Sequence, residues 1–319
     1  MNTVIITGAG GYVGGLLARS FGSQADPGAV RCLVRTDQQA CPLRAAGFQV
    51  LVGDLNDPSV ADRLITPGAL VIHAAARLGN TPRPQMLAVN VAGTERLVRA
   101  AVAARARRFI FVSSIEAYGD FAGRTLAENE PFIPNGNAYA ESKALGEQTV
   151  SRRHRASGST AFAILRPGMV YGPHSPYWTH RYLSMARRGS IPVLGHGGRI
   201  FPVYEDDLIA AVHQLSECAD AAGQTFNIVN DEGLSWWDWA RAHHFLAGQG
   251  RPRHQSAAAL RIRSRVRQAS GLPSQARKLE VELRTGSIPN LKARALLGWS
   301  PSSFDAVMRA RSMQIAALS

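Results

Sequence analysis

The chain has 319 residues, 45% of them hydrophobic and 18% charged, which is the composition of an ordinary globular protein with room for one large domain or two modest ones. Its formal net charge is +13, and the excess is arginine scattered along the chain, because only three of the 36 basic residues are lysines. The cysteines lack CxxC spacing and no run of eighteen apolar residues occurs, so we expect a cytoplasmic protein without a disulfide framework, a metal or a membrane span.

Short apolar runs recur through the first 172 residues, separated by stretches with helical periodicity: TVIITG, AVRCLVR, FQVLVGD, ALVIHAA, RFIFVSS and FAILRPG. The runs are apolar at both odd and even positions, which is typical of strands covered on both faces. The pattern predicts an α/β fold, with a doubly wound parallel sheet of the Rossmann kind over residues 1–172.

The regularity ends after residue 172, and residues 173–319 are predicted to form mainly a smaller C-terminal substrate lobe. Segments around 202–229 are expected to return to the main sheet. In the lobe, Ser235 and Asp238 have capping-box spacing and predict a helix with Trp236, Trp237 and Trp239 in its first turn. We interpret these tryptophans as packing residues and not as an aromatic ligand cage.

The first chemical motif is TGAGGYVG, which follows a predicted strand and precedes an apolar helix. Glycines let the backbone approach a pyrophosphate, and a helix N-terminus directs N–H groups at it. The alternative is a tight turn without a ligand. We predict cofactor contacts at the loop residues Gly8, Gly11, Tyr12, Val13 and Gly14.

The second predicted strand ends in LVR, where a carboxylate would accept hydrogen bonds from the ribose hydroxyls of NAD. Arg35 cannot accept them but can pair with a 2′-phosphate. Arg35 therefore favours NADP over NAD, which stays the alternative, as does a simple exposed arginine at a strand end.

Further motifs follow in a fixed order: GDL at 53–55, HAAA at 73–76, NVAGT at 90–94, VSSIEAYG at 112–119, YAESK at 139–143 and LRPGMVYGP at 165–173. PVYEDDL at 202–208 and LLGWSP at 296–301 come later. Over nearly the whole chain this series resembles the extended short-chain dehydrogenase/reductase family of the NAD-dependent epimerase/dehydratase type. The resemblance implies a Rossmann fold, a nicotinamide cofactor and an enzyme.

The resemblance also assigns catalytic roles. Tyr139 and Lys143, four positions apart, share one helix face. Tyr139 is expected to be the general acid/base, and Lys143 to lower its pKa by about a unit or more and to hold the nicotinamide ribose. Ser114, in preference to Ser113, is expected to orient the substrate carbonyl.

The remaining implied positions are cofactor contacts. Asp54 and Leu55 are expected at the adenine, the HAAA segment at the pyrophosphate and ribose, and backbone after Pro167 at the nicotinamide. Asn90 is expected near the active site, and a purely structural role for it stays open. The full set beyond the glycine loop and Arg35 is Asp54, Leu55, Ala74, Ala75, Ala76, Asn90, Tyr139, Lys143, Pro167 and Val170.

Departures from the family patterns reduce the number of candidate reactions. Ile115 replaces the acid of nucleotide-sugar dehydratases, and Gly168 replaces an asparagine common in sugar-nucleotide epimerases. SSIEAYG and LRPGMVYGP look closer to 3β-hydroxysteroid dehydrogenases and dihydroflavonol reductases. We therefore expect hydride transfer between NADPH and a carbonyl or secondary alcohol. The alternatives are a nucleotide-sugar epimerase holding NAD tightly and, less favoured, a non-catalytic cofactor-binding protein.

Substrate and partners are specified less closely. The segments 77–85, 174–182 and the basic stretch near Arg261 mix aromatic and cationic groups, which suit a planar or hydrophobic molecule carrying an anion. Glu116 faces the substrate or is structural; both readings stay open. The cluster RIRSRVR (261–267) is interpreted as a solvated basic face, so neither nucleic acid nor a membrane is expected as a partner. The resemblance suggests a homodimer through the helix carrying Tyr139 and the helix around 94–106, although helices buried within a monomer would have the same pattern.

Overall fold

The structure, a computed structural model, describes residues 3–79, 81–121, 123–156, 158–189, 191–193, 198–230, 233–254, 256–270 and 283–316. Its strands are β1 (Val4–Thr7), β2 (Val30–Val34), β3 (Gln49–Val52), β4 (Leu70–His73), β5 (Arg108–Val112), β6 (Ala161–Pro167), β7 (Met169–Tyr171), β8 (Pro192–Val193), β9 (Arg199–Ile200), β10 (Pro202–Tyr204), β11 (Thr225–Ile228), β12 (Leu234–Ser235) and β13 (Arg253–His254).

Its α-helices are α1 (Tyr12–Gln24), α2 (Asp37–Ala45), α3 (Pro58–Leu64), α4 (Arg83–Leu87), α5 (Thr94–Ala103), α6 (Ala138–Ala156), α7 (Arg181–Arg187), α8 (Glu205–Glu217), α9 (Trp236–Leu246), α10 (Ala257–Ala269), α11 (Leu291–Leu297), α12 (Phe304–Ala310) and α13 (Ser312–Ala316). A π-helical turn, Ala88–Gly93, joins α4 to α5. None of the helices in the described ranges is both long and apolar enough to cross a bilayer.

The main sheet has seven strands in the order β11-β6-β5-β4-β1-β2-β3, all paired in parallel. Successive side chains of a strand point to opposite faces, so Ile6 joins one buried cluster and Ile5 the other. The first cluster includes residues of α1 and α8, and the second includes residues of α3 and α5. The predicted α/β fold with a doubly wound parallel sheet is confirmed.

The later segments divide between the sheet and the lobe. β11, within the stretch expected to return, is an edge strand of the main sheet. Residues 291–299 also join the main core: Leu297 and Trp299 are buried there, and the Trp299 indole N–H donates to the Asp207 carbonyl at 2.8 Å. The sequence pattern predicted this last segment in the lobe, because a short apolar run does not show which core covers it.

The lobe has its own core around Tyr171, Trp239 and Phe304, whose rings are in mutual contact. Ser235 caps α9, since its hydroxyl accepts from the Asp238 N–H at 3.1 Å. Trp236 and Trp239 are buried and Trp237 is partly buried against the same cluster. The three tryptophans are therefore packing residues, as their capping-box context predicted.

Candidate active site

The glycine loop is a tight cradle between β1 and α1. Gly8 has φ +75°, and a Cβ there would lie 2.8 Å from the Ala75 Cα. A Cβ at Gly14 would lie 2.2 Å from the Gly8 carbonyl oxygen. Gly11 is the N-cap of α1 and has no side chain to occupy the first-turn N–H groups of Tyr12, Val13 and Gly14. These features fit a dinucleotide pyrophosphate, which needs close backbone approach and free N–H donors.

The neighbouring strand ends carry the residues expected at the adenosine. Arg35 directly follows β2 and is exposed, and its backbone N–H donates to Gln39 Oε1 at 3.0 Å. The nearby carboxylate, Asp37, pairs with Arg44 at 3.2 Å. Asp54 follows β3, and its Oδ1 accepts from the Asn56 N–H at 2.8 Å. Because β1, β2 and β3 are adjacent and parallel, these positions lie along one edge of the sheet with the glycine loop.

The loop after β4 is fixed by a buried histidine. His73 Nδ1 lies 2.7 Å from the Thr7 hydroxyl and its Nε2 lies 2.9 Å from the Thr94 hydroxyl. Burial, and then the positive charge of Lys143, lower the pKa of His73 to about 3, so the ring is neutral at physiological pH. The Ala75 N–H donates to the Thr7 hydroxyl at 3.2 Å. The segment Ala74, Ala75 and Ala76 is thus held beside the glycine loop, where the sequence predicted it.

Asn90 is engaged by the protein itself. Its Oδ1 accepts from the Arg77 N–H at 2.7 Å, while its Nδ2 donates to the Arg77 carbonyl at 3.0 Å and to the Ser142 hydroxyl at 2.9 Å. It lies in the π-helical turn, a feature that often accompanies functional sites. These bonds favour the structural reading of Asn90: it ties the loop after β4 to α6, next to Lys143.

Ser114, Tyr139 and Lys143 come together at the carboxyl end of β5. The Ser114 side chain lies near enough to the Tyr139 phenol to lower its pKa, and its hydroxyl accepts the Glu116 N–H at 3.2 Å. Lys143 Nζ donates to the Val112 carbonyl at 2.8 Å and lies 5.9 Å from the centre of the Tyr139 ring. The helix spacing therefore places Tyr139 and Lys143 on one face of α6, and the Ser114 side chain lies near the Tyr139 phenol.

The charge state of the pair differs from the expectation that Lys143 lowers the pKa of Tyr139. Burial, followed by the negative charge of Glu116, raises the pKa of Tyr139, and the hydrogen bond from Ser114 only partly offsets the rise. Burial also lowers the pKa of Lys143 to about 8, against an opposing effect of Glu147. The expected lowered pKa was wrong for this state of the protein, because sequence spacing does not report how far a phenol is desolvated.

A buried ion pair lies behind the site. Glu147, one turn after Lys143 on α6, accepts from Arg166 Nε at 2.8 Å and from Arg166 Nη2 at 2.6 Å. The Ser113 hydroxyl donates to the same carboxylate at 2.6 Å. Arg166 also lies over the Tyr118 ring, 4.4 Å from its centre. Ser113 is thus turned away from Tyr139, which agrees with the choice of Ser114.

Arg284 is the site residue that sequence reasoning missed. Its guanidinium donates to Glu116 Oε1 at 2.6 Å and to Oε2 at 3.3 Å, and Asn137 Nδ2 adds a bond of 3.2 Å to Oε2. Arg284 also lies over the Phe121 ring, 4.3 Å from its centre. Glu116 is therefore an ion-paired carboxylate beside Tyr139. No signal in the sequence joins positions 168 residues apart.

A second carboxylate sits below the glycine loop. The Tyr12 hydroxyl donates to Glu205 Oε2 at 2.7 Å, and His174 Nδ1 lies 2.6 Å from Glu205 Oε1. Burial and the charge of Glu205 raise the pKa of Tyr12, so this phenol stays protonated. A Cβ at Gly172 would lie 2.4 Å from the Glu205 Cδ. Tyr12 is thus hydrogen-bonded to the first residue of α8, a contact that its place in the glycine loop does not reveal.

The chain after β6 is packed closely. A Cβ at Gly168 would lie 1.8 Å from the Phe201 carbonyl oxygen, and the Gly168 N–H donates to the Ile228 carbonyl at 3.0 Å. Val170 pairs with Val203 across β7 and β10 and is buried. Close backbone packing therefore requires glycine at position 168, which is a physical reason why the asparagine common in sugar-nucleotide epimerases is absent here. Pro167 ends β6, at the same edge of the sheet as Ser114 and the glycine loop.

A doubly wound parallel sheet with this cradle and this serine, tyrosine and lysine defines a dinucleotide-binding enzyme. The chain belongs to the NAD dependent epimerase/dehydratase family, whose family model matches residues 4–229. The predicted extended short-chain dehydrogenase/reductase type is confirmed. The protein is thus an enzyme of a family that contains NAD(P)-binding oxidoreductases and epimerases.

Two curated relatives and one solved structure illustrate this family. The ceramide reductase of Caulobacter vibrioides is 31% identical over 249 residues, covering 78% of this chain and 72% of the relative. The decarboxylating sterol-4-alpha-carboxylate 3-dehydrogenase of Schizosaccharomyces pombe is 27% identical over 263 residues, covering 79% and 76%. MoeE5 in complex with UDP-glucose and NAD shares the fold, with a TM-score of 0.77 and 22% identity over 98% of both chains.

Proposed function

We propose that the protein transfers a hydride between NADPH and a carbonyl or secondary alcohol of a small organic substrate. The observation that carries this proposal is the juxtaposition of three side chains: Ser114 acts on the Tyr139 phenol, and the Lys143 ammonium lies 5.9 Å from the centre of the Tyr139 ring. Two neighbouring hydroxyls can bind one substrate oxygen. A protein that only sensed the cofactor would not need them.

In this proposal the chain's own groups handle the proton. Tyr139, whose raised pKa keeps it protonated, donates its proton to the substrate oxygen during reduction. Ser114 holds that oxygen in place. Lys143, fixed by the Val112 carbonyl, stabilises the negative charge that the phenol acquires. The nicotinamide, when bound, supplies or accepts the hydride.

The preference for NADPH rests on Arg35. Its side chain is exposed at the end of β2, on the strand next to the glycine loop, and the neighbouring carboxylate of Asp37 is drawn to Arg44. A 2′-phosphate would find a cation here instead of a competing anion. The same geometry offers the hydroxyls of NAD no carboxylate acceptor at the strand end.

We propose a substrate with a large apolar part. The curated relatives described above are named for a ceramide and for a sterol carboxylate, which are both lipids. In the site, the Arg284 guanidinium donates two hydrogen bonds to Glu116, so the charges of this pair offset each other. Among the residues that the structure describes, this charged pair is matched, which suits a neutral carbonyl.

The second candidate is a nucleotide-sugar epimerase that keeps NAD bound. The observation in its favour is Arg284, a cation bound to Glu116 that could approach a sugar-nucleotide phosphate. MoeE5, which shares the fold, binds UDP-glucose. A diphosphate would have to displace Glu116 from Arg284, and for that reason we rank this function below carbonyl reduction.

The test of the proposed function is Tyr139→Phe in the purified protein, assayed with NADPH and a panel of long-chain and aromatic ketones. Removal of a general acid should lower turnover by about 10²- to 10⁴-fold while NADPH affinity, measured by fluorescence, is unchanged. Ser114→Ala should also lower turnover, whereas Ser23→Ala, at an exposed position of α1, should not. Full turnover by Tyr139→Phe would reject the mechanism, and NAD that stays bound through purification would favour the epimerase.

We also propose a homodimer. An open groove of about 850 Å³ runs between the helix pair α4 and α5 and the outer face of α6. Its apolar lining is only partly buried at Leu87, Ala88, Val91, Ala92 and Leu145. A second copy is the occupant that would bury this lining. Light scattering should find a dimer that Val91→Arg dissociates; a monomeric parent protein would refute the proposal.

A further inference from the structure

Helix α10 holds the arginine-rich stretch that the proposed reaction does not use. Ser256 caps it, since its hydroxyl accepts from the Ala259 N–H at 3.2 Å. Only a narrow face is buried, with Leu260 and Ser264 four positions apart. The helix belongs to the same C-terminal part of the chain as Arg284, which reaches the active site.

The face directed away from the protein is apolar. At about 100° per residue, Ile262 and Val266 lie opposite Leu260 and Ser264. Their exposed fractions are 63% and 60%. Alanines 258, 259 and 269 are exposed on the same side. An ordinary surface helix directs its apolar residues inward, so this helix presents a second apolar stripe to its surroundings.

Arginines border this stripe on both sides. In helical projection, Arg261 and Arg265 follow one edge, and Arg263 and Arg267 follow the other. Arg261, Arg263 and Arg265 are exposed. A line of apolar side chains flanked by guanidinium groups is the arrangement of a helix that lies in a membrane interface, with its apolar side among the acyl chains and its cations at the headgroups.

We propose that α10 docks the protein on an anionic membrane surface, with Ile262 and Val266 inserted and the exposed Arg261, Arg263 and Arg265 at acidic lipid headgroups. The charges are complementary, and the net charge of +13 adds long-range attraction. A second copy of the chain is a poorer occupant, because its arginines would meet these. Nucleic acid is a poorer one because it needs no inserted aliphatic stripe. The proposal replaces the expectation of a solvated face without a membrane partner.

This inference does not depend on hydride transfer, although it would give a reductase of apolar substrates access to lipid. The experiment is flotation of the full chain with vesicles of phosphatidylcholine alone and of an equimolar mixture with phosphatidylglycerol. The parent protein should float with the anionic vesicles and less so as salt rises. Arg261→Gln/Arg263→Gln/Arg265→Gln should weaken partitioning by about fivefold per arginine.

The apolar stripe is tested by Ile262→Gln/Val266→Gln, which keeps every charge. This variant should bind anionic vesicles at least about tenfold more weakly, because two inserted aliphatic side chains are lost. Leu291→Gln, at an apolar side chain 71% exposed on α11, is the matched control and should bind like the parent. Unchanged NADPH binding shows that each variant is folded.

Three results would overturn the proposal. The parent protein could fail to bind anionic vesicles. The Ile262→Gln/Val266→Gln variant could bind as well as the parent, which would indicate a purely electrostatic surface for nucleic acid or an acidic protein. The same variant could lose self-association in sedimentation, which would make α10 a contact between copies. Turnover of a water-soluble ketone is measured in a separate assay. A protein that lacks the proposed reductase activity can therefore still be tested for vesicle binding.

Discussion

The two halves of the active site are assembled from very different distances along the chain. The cofactor half is a row of strand ends, and each contributes its own next residues: the glycine loop after β1, Arg35 after β2 and Asp54 after β3. The catalytic half joins Ser114 and Tyr139 to partners as remote as Arg284. Local motifs therefore describe the first half well, while the charge state of the second depends on contacts that no motif contains.

The largest expected effect is a loss of unfolding free energy when the buried ion pair next to the catalytic half is broken. Glu147→Ala leaves the buried Arg166 guanidinium without its carboxylate, and loss of one partner of a buried pair costs about 3–5 kcal/mol. Urea denaturation should show this loss of unfolding free energy. Glu141→Ala on the same helix removes a pair with Arg83 of equal length, 2.6 Å, but with the arginine 58% exposed, and should cost no more than about 1 kcal/mol. Equal costs would mean that Glu147 is not buried in solution.

The next largest effect is weaker NADPH binding after a substitution in the glycine loop of the cofactor half. Gly14→Ala places a Cβ against the Gly8 carbonyl, and because that atom is backbone the loop must shift. We expect about 3 kcal/mol, or more than hundredfold, weaker NADPH binding, the upper end of the cost of overpacking. Gly250→Ala, whose Cβ meets nothing within 4 Å, is the control for a glycine substitution as such. Fluorescence titration measures both, and normal binding by Gly14→Ala would remove the loop from the site.

A substitution of Arg35 tests whether the residue that follows β2 selects NADPH over NADH. Arg35→Gln should weaken NADPH binding by about 2 kcal/mol, roughly thirtyfold, the typical value of hydrogen bonds to a charged group. NADH binding should not change. Arg99→Gln, at an exposed arginine on α5, controls for the loss of one positive charge. If both cofactors weaken equally, Arg35 does not read the 2′-phosphate.

The smallest expected effects are on the catalytic half, where Glu116→Gln and Arg284→Gln should change the rate of alcohol oxidation in opposite directions. Glu116 raises the pKa of Tyr139, so Glu116→Gln should lower that pKa. Alcohol oxidation needs the phenolate, so its rate at neutral pH should rise about tenfold where proton loss limits it. Arg284→Gln removes the guanidinium that offsets the charge of Glu116 and should slow oxidation. The pH profile of kcat/KM distinguishes these outcomes; shifts of the same sign would mean that the pair acts only on folding.

Local sequence patterns were sufficient to predict the parallel sheet, the glycine loop, the tyrosine and lysine on one helix face, and the cap before the tryptophans. These features follow from side-chain period, turn chemistry and helix spacing, which act over a few residues. Tertiary structure decided that residues 291–299 return to the main core. It also decided that Glu116 meets Arg284, and that burial raises the pKa of Tyr139. Desolvation and ion pairing depend on what the whole fold brings around a group, and this is a property of packing and not of sequence spacing.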